Sequence, residues 1–207
     1  MLPGVLLTVL QQVMMLALAL SFASEFEKGT FKDLVSKSSN VLLLILVKIA
    51  PFLLMSIGIY MLYYGFSIFY RMPLHIPLGP FLLGTILFLL AVSFIGILVS
   101  IIIPSQLKAT EILMVIATPS FILSGFTWPL SQMPDWVVHI SKLIPLTHYL
   151  EIFRVLVIEQ GTVEYVQSSI VALAWTTVIC FILSFVLLYL KVKKTKKEDN
   201  IPIKSEI

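Results

Sequence analysis

The chain of 207 residues carries 14 Lys and Arg against 11 Asp and Glu, a formal net charge of +3, while 59% of it is hydrophobic and only 12% is charged. With a mean hydropathy of +1.04, this composition excludes a soluble globular domain and describes an integral membrane protein with no nucleic-acid partner. The lone Cys180 excludes an internal disulfide and a thiolate metal site.

A membrane-spanning helix needs about 20 apolar residues. About five runs answer that description, at roughly 3–23, 41–69, 81–103, 112–126 and 168–190. The first lacks a basic n-region, and the small residues near 19–23 are only a weak cleavage site, so a retained span is expected. Residues 24–39, SEFEKGTFKDLVSKSS, form the long polar loop that follows. Gly29 breaks the run there, and Thr30 with Asp33 reads as a capping box opening a short helix through Lys37. Phe26, Phe31, Leu34 and Val35 give this segment an apolar side, and Glu25, Glu27, Lys28, Lys32 and Asp33 a charged one. Composition alone reads it as a linker lying on the headgroups.

Pro51 in the second run removes a backbone hydrogen bond and is expected to kink it. Tyr60, Tyr63, Tyr64, Phe69 and Tyr70 read as an aromatic belt, and Arg71 with Pro73, Pro77 and Pro80 as a turn. In the third run, Ser93, Gly96 and Ser100 are small enough to let another helix approach closely. Residues 103–108 then make a short turn.

From 118 to 161 the chain becomes amphipathic, aromatic and rich in proline. Ser124-Gly125 ends an apolar run that contains Pro119, and Trp128-Pro129 and Met133-Pro134-Asp135-Trp136 supply turns with indoles at the bilayer's polar boundary. Trp136, Val137, Ile140 and Leu143 recur at helical spacing, which predicts a short helix in the membrane plane over 135–143, stopped by Pro145. A second short helix is predicted over 146–158, with Glu151 and Arg154 at a spacing that lets them pair. The last span ends in the basic run 191–197, suited to anionic headgroups and expected to give way to disorder. Lys28, Lys32, Lys37 and Lys48, then Lys108, then Lys191 to Lys204, outweigh Arg71, Lys142 and Arg154 on the opposite side. That bias predicts an outside N-terminus, a cytoplasmic C-terminus, and an exterior position for 119–161.

Two of these stretches resemble ABC-2 type transporter permeases. The order of Ser124, Gly125, Pro129, Met133, Pro134, Pro145, Glu151 and Arg154 is similar to the region before the last span of that family, and by resemblance these residues form an exterior gate region. Glu25, Glu27, Lys28, Gly29 and Thr30 resemble the family's opening to the cytoplasmic helix that docks on the ATPase, with Phe26 standing where a basic residue is common. The resemblance turns the 24–39 loop into a coupling segment, with Asp33 included. It also implies six spans and a cytoplasmic N-terminus, whereas this chain starts at what would be the second span, without the first span and the large exterior domain. A gene fragment, a split permease and a mis-assigned start all fit that gap.

Catalytic chemistry is sparse. His75, His139 and His148 lack the spacing and carboxylate partner of a zinc helix motif, and neither a phosphate-binding loop nor a nucleophile elbow is present. The expectation is an all-α polytopic membrane protein, about five transmembrane helices plus short interfacial helices at 128–158, forming one domain over 1–191 with a basic tail over 192–207. The resemblance implies a non-enzymatic permease subunit in a bacterial inner membrane, which moves small lipophilic molecules or drugs outward. It further implies a separate ATPase that binds ATP and Mg, and a second permease copy or a related one. A truncated remnant or membrane scaffold is the alternative, and an intramembrane enzyme ranks last because the spans hold few polar residues.

Overall fold

A computed structural model describes residues 2–37, 40–69, 77–125 and 132–199. All regular structure among them is helical: α1 (Leu2–Lys28), α2 (Phe31–Lys37), α3 (Val41–Phe69), α4 (Leu78–Ile102), α5 (Gln106–Leu123), α6 (Asp135–Ser141), α7 (Pro145–Phe153) and α8 (Gln167–Asp199). Helices satisfy their own backbone within the segment, which is what hydrocarbon demands of a spanning chain.

Among the described residues, four stretches are long and apolar enough to cross a membrane: Gly4–Lys28, Val41–Phe66, Leu78–Ile102 and Val163–Lys197. The expected span at 112–126 falls in α5, which has 18 residues and so a length of only about 27 Å, against a hydrocarbon core of about 30 Å. Lys108 and Glu111 occupy its early turns, so its uninterrupted apolar stretch begins only at Ile112. Conversely, α8 has 33 residues, roughly 50 Å of helix. It runs on through the basic stretch to Asp199; most of the segment beyond 197, where disorder was expected, lies outside the described residues.

Helix α4 is the spine, packed between α1 on one side and α8 on the other. The α1 stripe that it meets includes Met14, Met15, Leu18, Ala19 and Phe22, all buried and recurring at helical spacing. Close approach depends on Gly96: a Cβ there would lie 2.9 Å from Leu18 Cβ and 3.1 Å from the Met15 carbonyl oxygen. Four residues on, the Ser100 hydroxyl accepts the backbone N–H groups of Phe22 and Ala23, each at 2.7 Å. Toward α8, Thr177 donates to the Leu87 carbonyl at 3.1 Å and Ser184 to that of Phe94 at 3.2 Å. Small and hydroxylated residues thus serve both interfaces, Gly96 and Ser100 of α4 toward α1 and Thr177 and Ser184 of α8 toward α4, as packing in lipid favours.

The short helix α2 folds back under the bundle. Gly29, with φ +73°, makes the reversal. Phe31 and Val35 are then buried in a cluster that contains Phe22, Val41, Leu44, Leu188 and Val192. Helix α3 continues through Pro51. Beyond it, Leu54, Met61 and Leu62 face outward.

Candidate functional site

Two regions carry the residues that the sequence marks, one at each end of the bundle. The first is the α1–α2 turn. Glu25 and Lys48 form an ion pair at 3.0 Å, with side chains 22% and 24% exposed. Lys48 also donates to the Ser21 carbonyl at 3.4 Å, and its ammonium lies 5.7 Å from the centroid of the Phe22 ring. The Thr30 hydroxyl donates to the other Glu25 oxygen. It turns back to α1, and its part in the expected capping box with Asp33 is replaced by this contact.

Glu27 reaches a different helix: its Oε2 accepts the Gln106 backbone N–H at 2.9 Å, at the first residue of α5. Phe26 meets a third. The Lys191 ammonium lies 3.7 Å from the centroid of the Phe26 ring and donates to the Ile101 carbonyl at 2.5 Å, near the end of α4. Helix α8 thus brings a cation over the Phe26 ring, a favourable pairing. The Phe26 ring also lies 4.6 Å from that of Phe31 on α2. At the tip, Lys28, Gly29, Thr30, Lys32 and Asp33 are exposed.

Sequence reading found the acidic side of this turn and missed what it binds. Lys48 entered only as a charge bias, Lys191 as that and as the start of a basic run for headgroups, and Gln106 only as part of the 103–108 turn. One signal was present: Lys48 sits in an otherwise apolar run, and an ionisable group in such a place is expected to have a partner.

The second region is the α6–α7 end. Helix α5 closes with Ser124, which is buried, and Gly125 at φ +76°. Pro129 and Trp128 lie outside the described residues, as do Tyr70, Arg71, Pro73 and His75. Met133 and Pro134 precede α6, with Pro134 as its N-cap, and Pro145 opens α7 at a position that needs no N–H. Two short helices stand in the expected stretch; Trp136 and Ile140 are exposed apolar residues along the first of them, and the exposed Leu143 lies in the turn just beyond its end.

Helix α7 turns Tyr149 into the bundle. Its hydroxyl accepts from the Tyr60 hydroxyl at 2.9 Å and lies 3.1 Å from Thr85 Oγ1. Since Thr85 donates to the Phe81 carbonyl, Tyr149 is left to donate to Thr85. Its ring stacks on Phe88 with centroids 4.3 Å apart and planes at 8°. Burial pushes the Tyr149 phenol up to about 12, so it stays neutral and keeps its proton to donate. Tyr60, expected in an aromatic belt, is turned inward by this contact, whereas Tyr64 and Phe69 are exposed.

The expected Glu151–Arg154 pair does not form. Glu151 accepts from the Ser169 hydroxyl at 2.5 Å, which ties α7 to α8. At Arg154 the helix widens into a π turn over Arg154–Ile158, and the Glu159 N–H reaches the Arg154 carbonyl at 2.9 Å. That wider turn brings the residue five positions on into reach, and Arg154 pairs with Glu159 at 3.4 Å. The His148 ring hydrogen-bonds the Lys142 carbonyl at 2.8 Å. Among the described residues no three His, Cys, Asp or Glu side chains gather to hold a metal.

The family described as ABC-2 type transporter matches residues 1–158. Among curated relatives, "Probable multidrug ABC transporter permease YbhR" of Escherichia coli K12 is 24% identical over 157 residues, covering 75% of this chain and 43% of that protein. "Probable multidrug ABC transporter permease YbhS" of the same organism is 27% identical over 150 residues, 72% of this chain and 40% of its own length. "ABC transporter G family member 20" of Dictyostelium discoideum is 25% identical over 142 residues, 67% of this chain and 18% of its own. The chain therefore spans less than half the length of each of these relatives. No solved structure matches it.

Proposed function

Because the chain belongs to the ABC-2 type transporter family, we propose that it acts as the membrane-spanning permease subunit of an ATP-driven exporter, coupled to a separate ATPase through the α1–α2 turn. The observation that carries this reading is the build of that turn. Its tip exposes Lys28, Gly29, Thr30, Lys32 and Asp33, while the residues just before it, Glu25, Phe26 and Glu27, grip α3, α8 and α5. A push on an exposed tip so rooted reaches several helices together.

In this mechanism the ATPase holds ATP and Mg, and closure of two ATPase subunits displaces the turn. The permease contributes no chemistry of its own. It must favour one arrangement of helices when the ATPases are closed and another when they are open, and only differential contact at the turn supplies that bias. The substrate pathway then lies between two permeases, either two copies or one copy with a related chain. The word multidrug in the names of the bacterial relatives supports drugs as cargo, and we extend this to small lipophilic compounds moved outward. The lysines at the α1–α2 end favour a cytoplasmic position for the turn, in a bacterial inner membrane with an outside N-terminus.

The test is affinity purification of the tagged chain from its native membrane in mild detergent, with mass spectrometry of what accompanies it. An ATPase subunit is expected with the wild type and not with Lys28→Glu combined with Asp33→Lys. A folded chain that brings no ATPase would instead identify a remnant or scaffold.

A further inference from the structure

We infer that Glu27 works as the mechanical link between the α1–α2 turn and α5, by capping the first backbone N–H of that helix. The inference rests on the permease reading and goes beyond it, because it separates a transmitting residue from the docking tip.

Helix α5 starts without a cap of its own. Its N-cap residue, Ser105, makes no side-chain cap hydrogen bond, and the N–H groups of a first helical turn have no partner within the helix. Glu27 Oε2 satisfies the first of them, at Gln106, from 79 residues away in sequence. A carboxylate accepting at a helix N-terminus is a charge-assisted bond that also suits the helix dipole. Along its length α5 leans chiefly on α1, burying Ala109, Leu113 and Ala117 while Leu107, Ile112, Met114, Val115 and Ile116 face outward. Further along the pair, the Gln12 amide donates to the Ala117 carbonyl at 3.4 Å. So α1 holds α5 at two heights, and the lower hold is the last polar contact before the exposed tip. A displaced tip pulls on the start of α5 through that contact.

Three substitutions separate this role from docking. Gln106→Pro deletes the N–H and leaves Glu27 intact. Proline is at home at the first helical position, and Ser105 before it is already extended, at φ −131° and ψ 124°, as a residue preceding proline must be. Glu27→Gln removes the charge and keeps an acceptor oxygen. Glu27→Ala removes both.

The experiment is hydrogen–deuterium exchange on the purified complex with its ATPase, with and without ATP and vanadate, read over residues 24–39 and 106–123. In the wild type both segments should change on trapping. In Gln106→Pro and Glu27→Ala, the ATPase should still co-purify and 24–39 should still respond, while the response of 106–123 is lost; Glu27→Gln should keep it. A wild-type-like response of 106–123 in Gln106→Pro overturns the inference, as does its absence from the wild type. Loss of the ATPase from Glu27→Gln but not from Gln106→Pro would make Glu27 a docking charge. No ATPase with the wild type sinks the permease reading and the inference with it, whereas an ATPase held by all four chains with α5 responding in all four sinks the inference alone.

Discussion

The two ends of the bundle are held by different chemistry. At the α1–α2 end the contacts are charged: Glu25 with Lys48, Glu27 with a helix N-terminus, Lys191 with a carbonyl and an aromatic face. At the α6–α7 end the central contact is neutral, a phenol between a second phenol and a threonine. Exposure explains the difference. Lys48 and Glu25 keep about a quarter of their side-chain surface open, so each sheds only part of its hydration. Tyr149 is 0% exposed, and a charge there would carry the full desolvation penalty. A charged end can be pulled and remade as water exchanges around it, whereas a buried neutral cluster must be satisfied once and kept.

This contrast is open to test. The largest effect is expected at the buried end. Tyr149→Ala should cost about 3–5 kcal/mol, the range for emptying a buried aromatic site, read as denaturation of the detergent-solubilised chain. Tyr149→Phe keeps the stack on Phe88 and strands the Tyr60 donor, so about 1–3 kcal/mol is expected. It should also change the alkaline arm. The folded phenol titrates near 12 against a reference of 10.0, so its contribution is present in full below pH 10 and is lost as the pH rises toward 12. The wild type should lose stability across that window more steeply than Tyr149→Phe.

Next comes the spine that joins the two ends. Gly96→Leu places a side chain where the Met15 carbonyl oxygen and Leu18 already stand; backbone cannot yield as a side-chain tip can. A loss of at least 1–3 kcal/mol, roughly the cost of overpacking, should appear in the same unfolding measurement, and Gly96→Ala should be milder in the same direction.

The charged end should give less. A double-mutant cycle of Glu25→Gln and Lys48→Met is expected to return a coupling on the order of 1 kcal/mol, at the upper end for ion pairs near water. A coupling as large as the Tyr149→Ala effect would erase the contrast between the ends. Smallest of all is Arg154→Ala. Its pair with Glu159 is about half exposed on both sides, and a change within about 0.5 kcal/mol is expected.

Much of the fold was legible because it is local. Long apolar runs announce spanning helices whatever surrounds them, Gly29 marks a reversal that needs a positive φ, and Pro145, read as the stop of one short helix, lies at the boundary where the next begins. Even the resemblance in two short stretches agrees with the family that matches residues 1–158. The misses share a cause. Glu151 and Arg154 looked like a pair because helical spacing places them side by side, but a π turn and a serine on another helix divided them. Tyr60 looked like a belt residue because nothing near it in sequence needed a hydroxyl, yet α7 brings Tyr149 to it.

Composition and periodicity, then, determined by themselves that this protein is a bundle of membrane helices with a charged turn and two short amphipathic helices. Spacing along a helix decides which side chains share a face. Only the tertiary structure decided what stands opposite that face: Lys48 before Glu25, Lys191 over Phe26, and the bare end of α5 beneath Glu27. Each of those partners lies far along the chain, where no local pattern reaches, and each is chosen by how the helices pack.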